Sequence, residues 1–215
     1  MTGRLITFEG GEGAGKSTQI KELVGVLKAS GQVVMTTREP GGSVGAEAIR
    51  ELLVAGAVDR WDAVSEALLV LAARRDHVER TIKPALADDT WVLCDRFTDS
   101  TAAYQGAGHG LGRDWVARLT KQVLGDFAPD LTLILDIPVE AGLARAKSRG
   151  GDDRFERMDR DFHARLRAAF LEIAAEEPDR CAVIKADRPQ AAIATDIQAV
   201  VGERLGISGL TVHHG

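Results

Sequence analysis

Apolar residues gather along this chain in five short runs, separated by longer stretches in which they recur at three- and four-residue spacing. The runs are residues 5–8, 33–36, 91–94, 131–135 and 182–184. Each is nearly continuous, the pattern of parallel strands covered on both faces. The stretches between them are long enough for crossover helices. The expected class is therefore α/β, with a five-stranded parallel sheet flanked by helices. Within the stretch 64–82, positions 64, 68, 71, 78 and 82 form an apolar stripe expected to enter the core. Glu66, Val70, Arg74 and His77 share a different face of the same helix.

No internal repeat, low-complexity tract or linker divides the 215 residues, so a single domain is expected over 1–210, with 211–215 a disordered tail. One compositional break stands out. Residues 149–160 (RGGDDRFERMDR) are highly charged and contain two adjacent glycines, which suggests a small lid. No apolar run approaches the roughly 20 residues needed to cross a bilayer, and the N-terminus lacks a signal-peptide layout. A cytoplasmic protein with no membrane partner is the expectation. The net charge of −5, from 27 basic and 32 acidic residues, disfavours a nucleic-acid polymer as partner. A small phosphorylated ligand needs only a few local cations and remains open. Cys94 and Cys181 each sit in an apolar run and read as buried, reduced thiols.

The strongest chemical signal is Gly10-Gly11-Glu12-Gly13-Ala14-Gly15-Lys16-Ser17, a complete G-x-x-x-x-G-K-S. A strand-like segment enters it and an amphipathic helix leaves it. Backbone N–H groups of such a loop turn inward on a phosphate, and the helix N-terminus adds its dipole. Lys16 is placed to reach the β- and γ-phosphates of ATP, and Ser17 to offer a hydroxyl to Mg²⁺. Thr18 belongs to the same ATP-binding set. The loop alone names no reaction, since switches, motors and small-molecule kinases share it.

Asp95-Arg96 follows the third apolar run. A carboxylate at that strand end, beside the phosphate loop, suits a Mg²⁺ shell, and the adjacent Arg96 suits a phosphate clamp. Arg38 ends the second strand before Glu39-Pro40-Gly41-Gly42, and Arg50 lies on the helix beyond. Arg74 lies on the face described above, although spacing alone does not choose it over Arg75. Together these arginines suggest a cleft for a second, anionic substrate. None of the five histidines falls in a recognisable motif.

In order along the chain, FEGGEGAGKST, TREPGG, EALL-x-x-AAR, CDRFTDSTAAYQG, PDLTLILDIP and RGGDDRFE resemble the thymidylate kinase family. The phosphate loop is generic; TREPGG combined with DR…S-T-x-A-Y-Q-G is specific. The resemblance implies the P-loop nucleoside monophosphate kinase fold, a homodimer, and transfer of the γ-phosphoryl group of ATP to dTMP in dTTP biosynthesis. It also implies residue roles. Arg96 and Arg50 hold the dTMP phosphate, Arg74 donates to thymine O4, and Thr101 meets the base edge. Tyr104 crowds the sugar at C2′ with Gln105 close by, while Glu12 accepts from the 3′-OH. Arg38, Val70 and Ser100 complete the acceptor site, and Arg145 stacks on adenine.

Phosphoryl transfer needs positive charge at the transferred group, where an arginine is worth ~10³-fold or more. The variable loop positions Gly11, Glu12, Gly13 and Ala14 hold no base. The chain thus resembles the bacterial subtype with a catalytic lid, which implies Arg154 as the lid arginine and Arg149 as its helper. The acceptor oxygen is already ionised, so no general base is called for.

One position departs from the family pattern. A ring commonly stacks on thymine four residues before Arg74; here the residue is Val70. Such stacking is worth about 1–3 kcal/mol, and Phe97 or another ring is the candidate to replace it. The departure keeps a kinase for dUMP, UMP or CMP as the alternative substrate reading. A non-enzymatic nucleotide-binding protein is the other alternative. The chain has no guanine-reading N-K-x-D, and Lys16, Ser17, Asp95 and Arg96 are all intact.

Overall fold

The computed structural model describes residues 3–148, 150 and 154–207. Its five strands are β1 (Leu5–Glu9), β2 (Val34–Arg38), β3 (Trp91–Asp95), β4 (Leu131–Asp136) and β5 (Cys181–Lys185). They pair in parallel in the order β2-β3-β1-β4-β5. β1, β3 and β4 are sealed on both faces, as continuous apolar runs require. The two edge strands depart from that expectation. β2 is only half-buried, and β5 alternates between buried and exposed positions at its C-terminal end.

Alternation along the strands divides the interior into layers. Ile6, Phe8 and Leu93 face α1 (Lys16–Ala29) and α9 (Gln190–Leu205), where Leu23, Leu27, Ile193 and Ile197 complete the packing. Leu5, Val92 and Cys94 turn the other way, onto Val78, Ile82, Phe97 and Leu124. Beside β4, α8 (Arg160–Glu176) packs Phe162, Leu166 and Phe170 against Ile134 and Tyr104. Both cysteines are buried free thiols, as expected. Among the described residues no helix is long and apolar enough to cross a membrane.

Helix α2 (Val44–Val54) begins at Ser43, whose side chain accepts from Ala46 N, and packs beside α3 (Ala63–His77). Asp62 caps α3 by accepting from the N–H groups of Val64 and Ser65. The apolar stripe expected to bury this helix is only partly correct. Leu71, Val78 and Ile82 are buried, but Val64 and Leu68 are 41% and 51% exposed. The inward face is instead the one carrying Glu66, Val70, Arg74 and His77. Burial of those polar groups is tolerated because each finds a partner. Thr37 and Glu39 take up His77, and Glu39 also takes up Arg74, while Glu66 receives Gln105 and Arg154.

The remaining helices are α4 (Lys83–Ala87), α5 (Thr98–Thr101), α6 (Arg113–Leu124) and α7 (Val139–Ser148), with a 3₁₀ turn over Arg154–Arg157. Widened π-type turns occupy Val78–Ile82 and Ala102–Gly108. The strand order matters most at its C-terminal edge. The register sets Phe8 and Arg38 on either side of Asp95. The phosphate loop, Asp95-Arg96 and the TREPGG turn therefore open onto one crevice beside the point where the sheet's winding reverses.

Candidate active site

The glycine-rich loop leaves β1 and runs into α1. Gly13 sits at φ +68°, and a Cβ there would lie 2.0 Å from the carbonyl oxygen of Gly142 on α7. A Cβ on Gly142 would lie 2.4 Å from Glu12 O. The loop thus rests backbone to backbone on α7. Across its mouth, Lys16 Nζ donates to Gly10 O and Gly11 O, each at 3.2 Å. Burial and then the charge of Arg96 push the Lys16 ammonium pKa down, against Asp95, Glu12 and Glu9. Ser17 Oγ donates to Asp95 Oδ2 at 3.0 Å. This pairs two hard oxygen donors at the junction of α1 and β3, the donor chemistry that would suit Mg²⁺.

Arg96 adopts φ +71°, a left-handed conformation uncommon for a residue with a Cβ. The segment after it is fixed by Glu9 at the end of β1. Glu9 accepts from Phe97 N (2.7 Å), Ser100 N (3.2 Å) and Ser100 Oγ (2.6 Å). The turn aims the Arg96 guanidinium back at the loop, donating to Gly10 O at 3.0 Å and to Glu12 Oε1 at 2.8 Å. It lies 4.9 Å from the centre of the Tyr104 ring, and Tyr104 OH donates to Glu12 Oε1 at 2.6 Å. Burial alone would lower the Arg96 pKa. Tyr104, Glu12, Asp95 and Glu9 outweigh it, so the group stays charged.

On the far side of the crevice, α3 presents Arg74, almost fully buried. Its Nε donates to Glu39 Oε2 (2.5 Å), Nη1 to Thr101 Oγ1 (2.7 Å) and Nη2 to Phe97 O (2.8 Å). Glu39, preceding Pro40 across a cis peptide, also accepts from or faces His77 Nδ1 at 3.0 Å. One continuous cleft joins the two sides. Glu12 to Ser17, Asp95 and Arg96 line it at the loop end. Arg38, Arg50, Leu53, Val70, Arg74, Ser100, Thr101, Tyr104, Gln105 and Phe155 line the remainder.

The sequence matches the family model for thymidylate kinase over residues 8–197. The chain belongs to the thymidylate kinase family. A thymidylate kinase of Caulobacter vibrioides is 60% identical over 205 residues, covering 95% of this chain and 99% of that protein. One from Magnetococcus marinus is 52% identical, covering 97% and 100%. Among solved structures, a thymidylate kinase from Ehrlichia chaffeensis superposes with a TM-score of 0.73 at 34% identity, covering 94% of this chain and 99% of that one.

The cleft gathers most of the residues singled out from sequence. Two cations in it are already engaged: Arg38 Nη2 donates to Glu47 Oε2 at 2.9 Å, and Arg50 Nη1 to Pro40 O at 2.7 Å. Gln105 Nε2 donates to Glu66 Oε1 at 2.7 Å. Thr18 and Arg145 are outside the cleft lining. Arg145 Nη1 donates to Ala186 O at 3.0 Å, beside the turn that leads into α9.

Arg154 is fully buried. Nε donates to Leu53 O at 3.1 Å, Nη1 to Val58 O at 3.0 Å, and Nη2 to Glu66 Oε2. Each guanidinium nitrogen is thus engaged by the α2–α3 region. Arg149 lies outside the described residues.

Three further residues of the site went unassigned from sequence. Glu39 lies inside TREPGG, and Glu66 shares a face with Arg74, so both had a signal. Phe155 had none, because nothing local to the lid sequence says that its ring enters the cleft.

Proposed function

We propose that the protein transfers the γ-phosphoryl group of ATP to dTMP, giving dTDP and ADP. The observation that carries this reading is the continuity of the cleft. Lys16, Ser17, Asp95 and Arg96 line one end, and Arg74, Thr101, Tyr104 and Gln105 the other. Such an arrangement suits a triphosphate donor and a monophosphate acceptor meeting end to end. Family membership supplies the substrate names.

In this reading the loop amides and Lys16 hold the β- and γ-phosphates, and Thr18 belongs to the same donor site. Arg145 lies against the adenine. Ser17 and Asp95 would hold Mg²⁺, which neutralises phosphate charge. Arg96, with Arg50 and Arg38, takes the acceptor phosphate, whose ionised oxygen attacks without a protein base. To do so Arg96 exchanges part of its contact with Glu12 for phosphate. Glu12 is held ionised, its pKa lowered to about 2: burial opposes this, but Arg96, Lys16 and the Tyr104 hydroxyl outweigh it. Its carboxylate then accepts the sugar 3′-OH. Tyr104 closes the space at C2′, and Arg74 and Thr101 meet the pyrimidine edge beside Val70.

The reading extends to a homodimer, supported by the exposed apolar pair Val64 and Leu68 on α3. It also extends to action in the cytoplasm, where free nucleotides are found. The decisive assay follows ADP release with ATP and Mg²⁺ against dTMP, dUMP, UMP, CMP, AMP and GMP. Preference for dTMP is expected. Preference for another monophosphate would keep the chemistry and overturn the substrate.

A further inference from the structure

The TREPGG turn, residues 37–42, does more than bring Arg38 to the cleft. Three of its other residues converge on α3. Thr37 Oγ1 lies 2.7 Å from His77 Nε2. Glu39 takes Arg74 Nε on Oε2 at 2.5 Å and His77 Nδ1 on Oε1 at 3.0 Å. Gly42, at φ +87°, folds over the same imidazole: a Cβ there would lie 2.3 Å from His77 Nε2 and 2.5 Å from Thr37 Oγ1. Thr81 Oγ1 donates to Gly42 O at 2.8 Å, which ties the turn to the widened helical turn after α3. His77 is itself fully buried and does not line the cleft.

The hydrogen bonds in this row have one sense. The Glu39 carboxylate, already receiving a guanidinium, has only lone pairs to offer, so the proton between it and the imidazole belongs to Nδ1. Nε2 is left to the Thr37 hydroxyl. At the other end of the row Arg74 is held at Nε by Glu39, at Nη1 by Thr101 Oγ1 and at Nη2 by Phe97 O, with the Phe97 ring beneath it at 5.3 Å. The terminal torsion of a glutamate is broad. A carboxylate bound through one oxygen can therefore swing, whereas a second donor on the other oxygen fixes its plane.

We infer that His77 and Thr37 are positioning residues for base recognition: acting through Glu39, they set the orientation in which Arg74 meets the acceptor. The inference rests on the proposed dTMP kinase reading, in which Arg74 faces the pyrimidine edge. There thymine presents a carbonyl oxygen and cytosine an amino group. A guanidinium held in place donates to the first and opposes the second. One left to turn discriminates less.

The test measures kcat/KM of the full-length enzyme for dTMP and for dCMP, with thermal melts to check folding. His77→Leu is expected to lower the dTMP-to-dCMP ratio about ten-fold or more, with the ATP KM within about two-fold. His77→Asn, which keeps an N–H donor near the place of Nδ1, should recover most of the ratio. Thr37→Val removes one hydroxyl at constant shape and should lower the ratio about three-fold, while Thr37→Ser stays near wild type. This pair carries the test alone if His77→Leu fails to fold. In an Arg74→Lys background, adding His77→Leu should lower the ratio no further, because both act through one guanidinium.

A ratio unchanged in His77→Leu and Thr37→Val overturns the inference, even if both nucleotides are turned over more slowly, since general loosening would slow them equally. A further fall in the Arg74→Lys background overturns the route through Arg74. A wild-type enzyme that does not prefer dTMP to dCMP would instead defeat the acceptor reading itself, which separates the two failures.

Discussion

Glu9 and Glu12 flank the first turn of the phosphate loop and depart from the ordinary carboxylate pKa in opposite directions. Burial, reinforced by Asp99, raises Glu9 to about 7 against the pull of Ser100, Arg96 and Phe97. Folded Glu9 therefore keeps its proton where the unfolded chain, titrating near 4.5, has lost it. Its contribution to stability is complete below about pH 4.5 and fades as pH rises through 7. Glu12, lowered to about 2, stabilises above pH 4.5 and loses that contribution as pH falls towards 2. Melting temperature against pH should thus fall less between pH 4.5 and 7 in Glu9→Gln than in wild type. Parallel curves would refute the raised pKa. Arg96 is the residue most exposed to conservative error. Lysine would keep the charge but lose the fork that spans Gly10 O and Glu12. Arg96→Lys should lower kcat about 100-fold or more with the fold intact; a loss below ten-fold would deny Arg96 its place at the acceptor phosphate.

At the scale of elements, α3 shows how far pattern alone reaches. Its helical period was evident in the sequence, but the stripe through Val64 and Leu68 named the wrong side as inward. Hydrophobic spacing cannot foresee that Glu66, Arg74 and His77 will each meet a buried partner from another element. The strands were more legible, because a nearly continuous apolar run of three to five residues leaves few alternatives. Only exposure at the edges, β2 and the end of β5, escaped. The partners of Arg154 were not legible, since an arginine seeks whichever carboxylate folding brings near. Glu66 and Arg154 now form a buried pair. Truncating either one alone to leucine should cost about 3–5 kcal/mol, because the partner charge is stranded. The double leucine variant should recover most of that in chemical denaturation. If the double variant is no more stable than the singles, the pair is not what ties the 3₁₀ turn to α2 and α3.

The whole molecule is organised around the sheet order. Placing β1 between β3 and β4 sets the loop after β1 beside Asp95 on one flank and against α7 on the other. The phosphate loop, Asp95, Arg96 and the cleft arginines Arg38, Arg50 and Arg74 were legible, each on its own stretch of chain. Their convergence followed from the parallel α/β class. What stayed hidden were the supports that arrive from far along the chain, such as Gly142 behind Gly13. Gly142→Ala pushes a methyl group into Glu12 O, so it should raise the ATP KM more than the acceptor KM and lower the melting temperature. An unaltered ATP KM would show that the loop's shape does not depend on α7.

That contact has a consequence for how this chain can change over generations. Most tight packing leaves an escape, since a larger side chain on one side can be matched by a smaller one opposite. Between Gly13 and Gly142 both partners are already the smallest residue available, and each methyl would strike a main-chain carbonyl. No second mutation at the facing position can make room for the first. A lineage carrying this loop has to retain both glycines or shift the whole of α7.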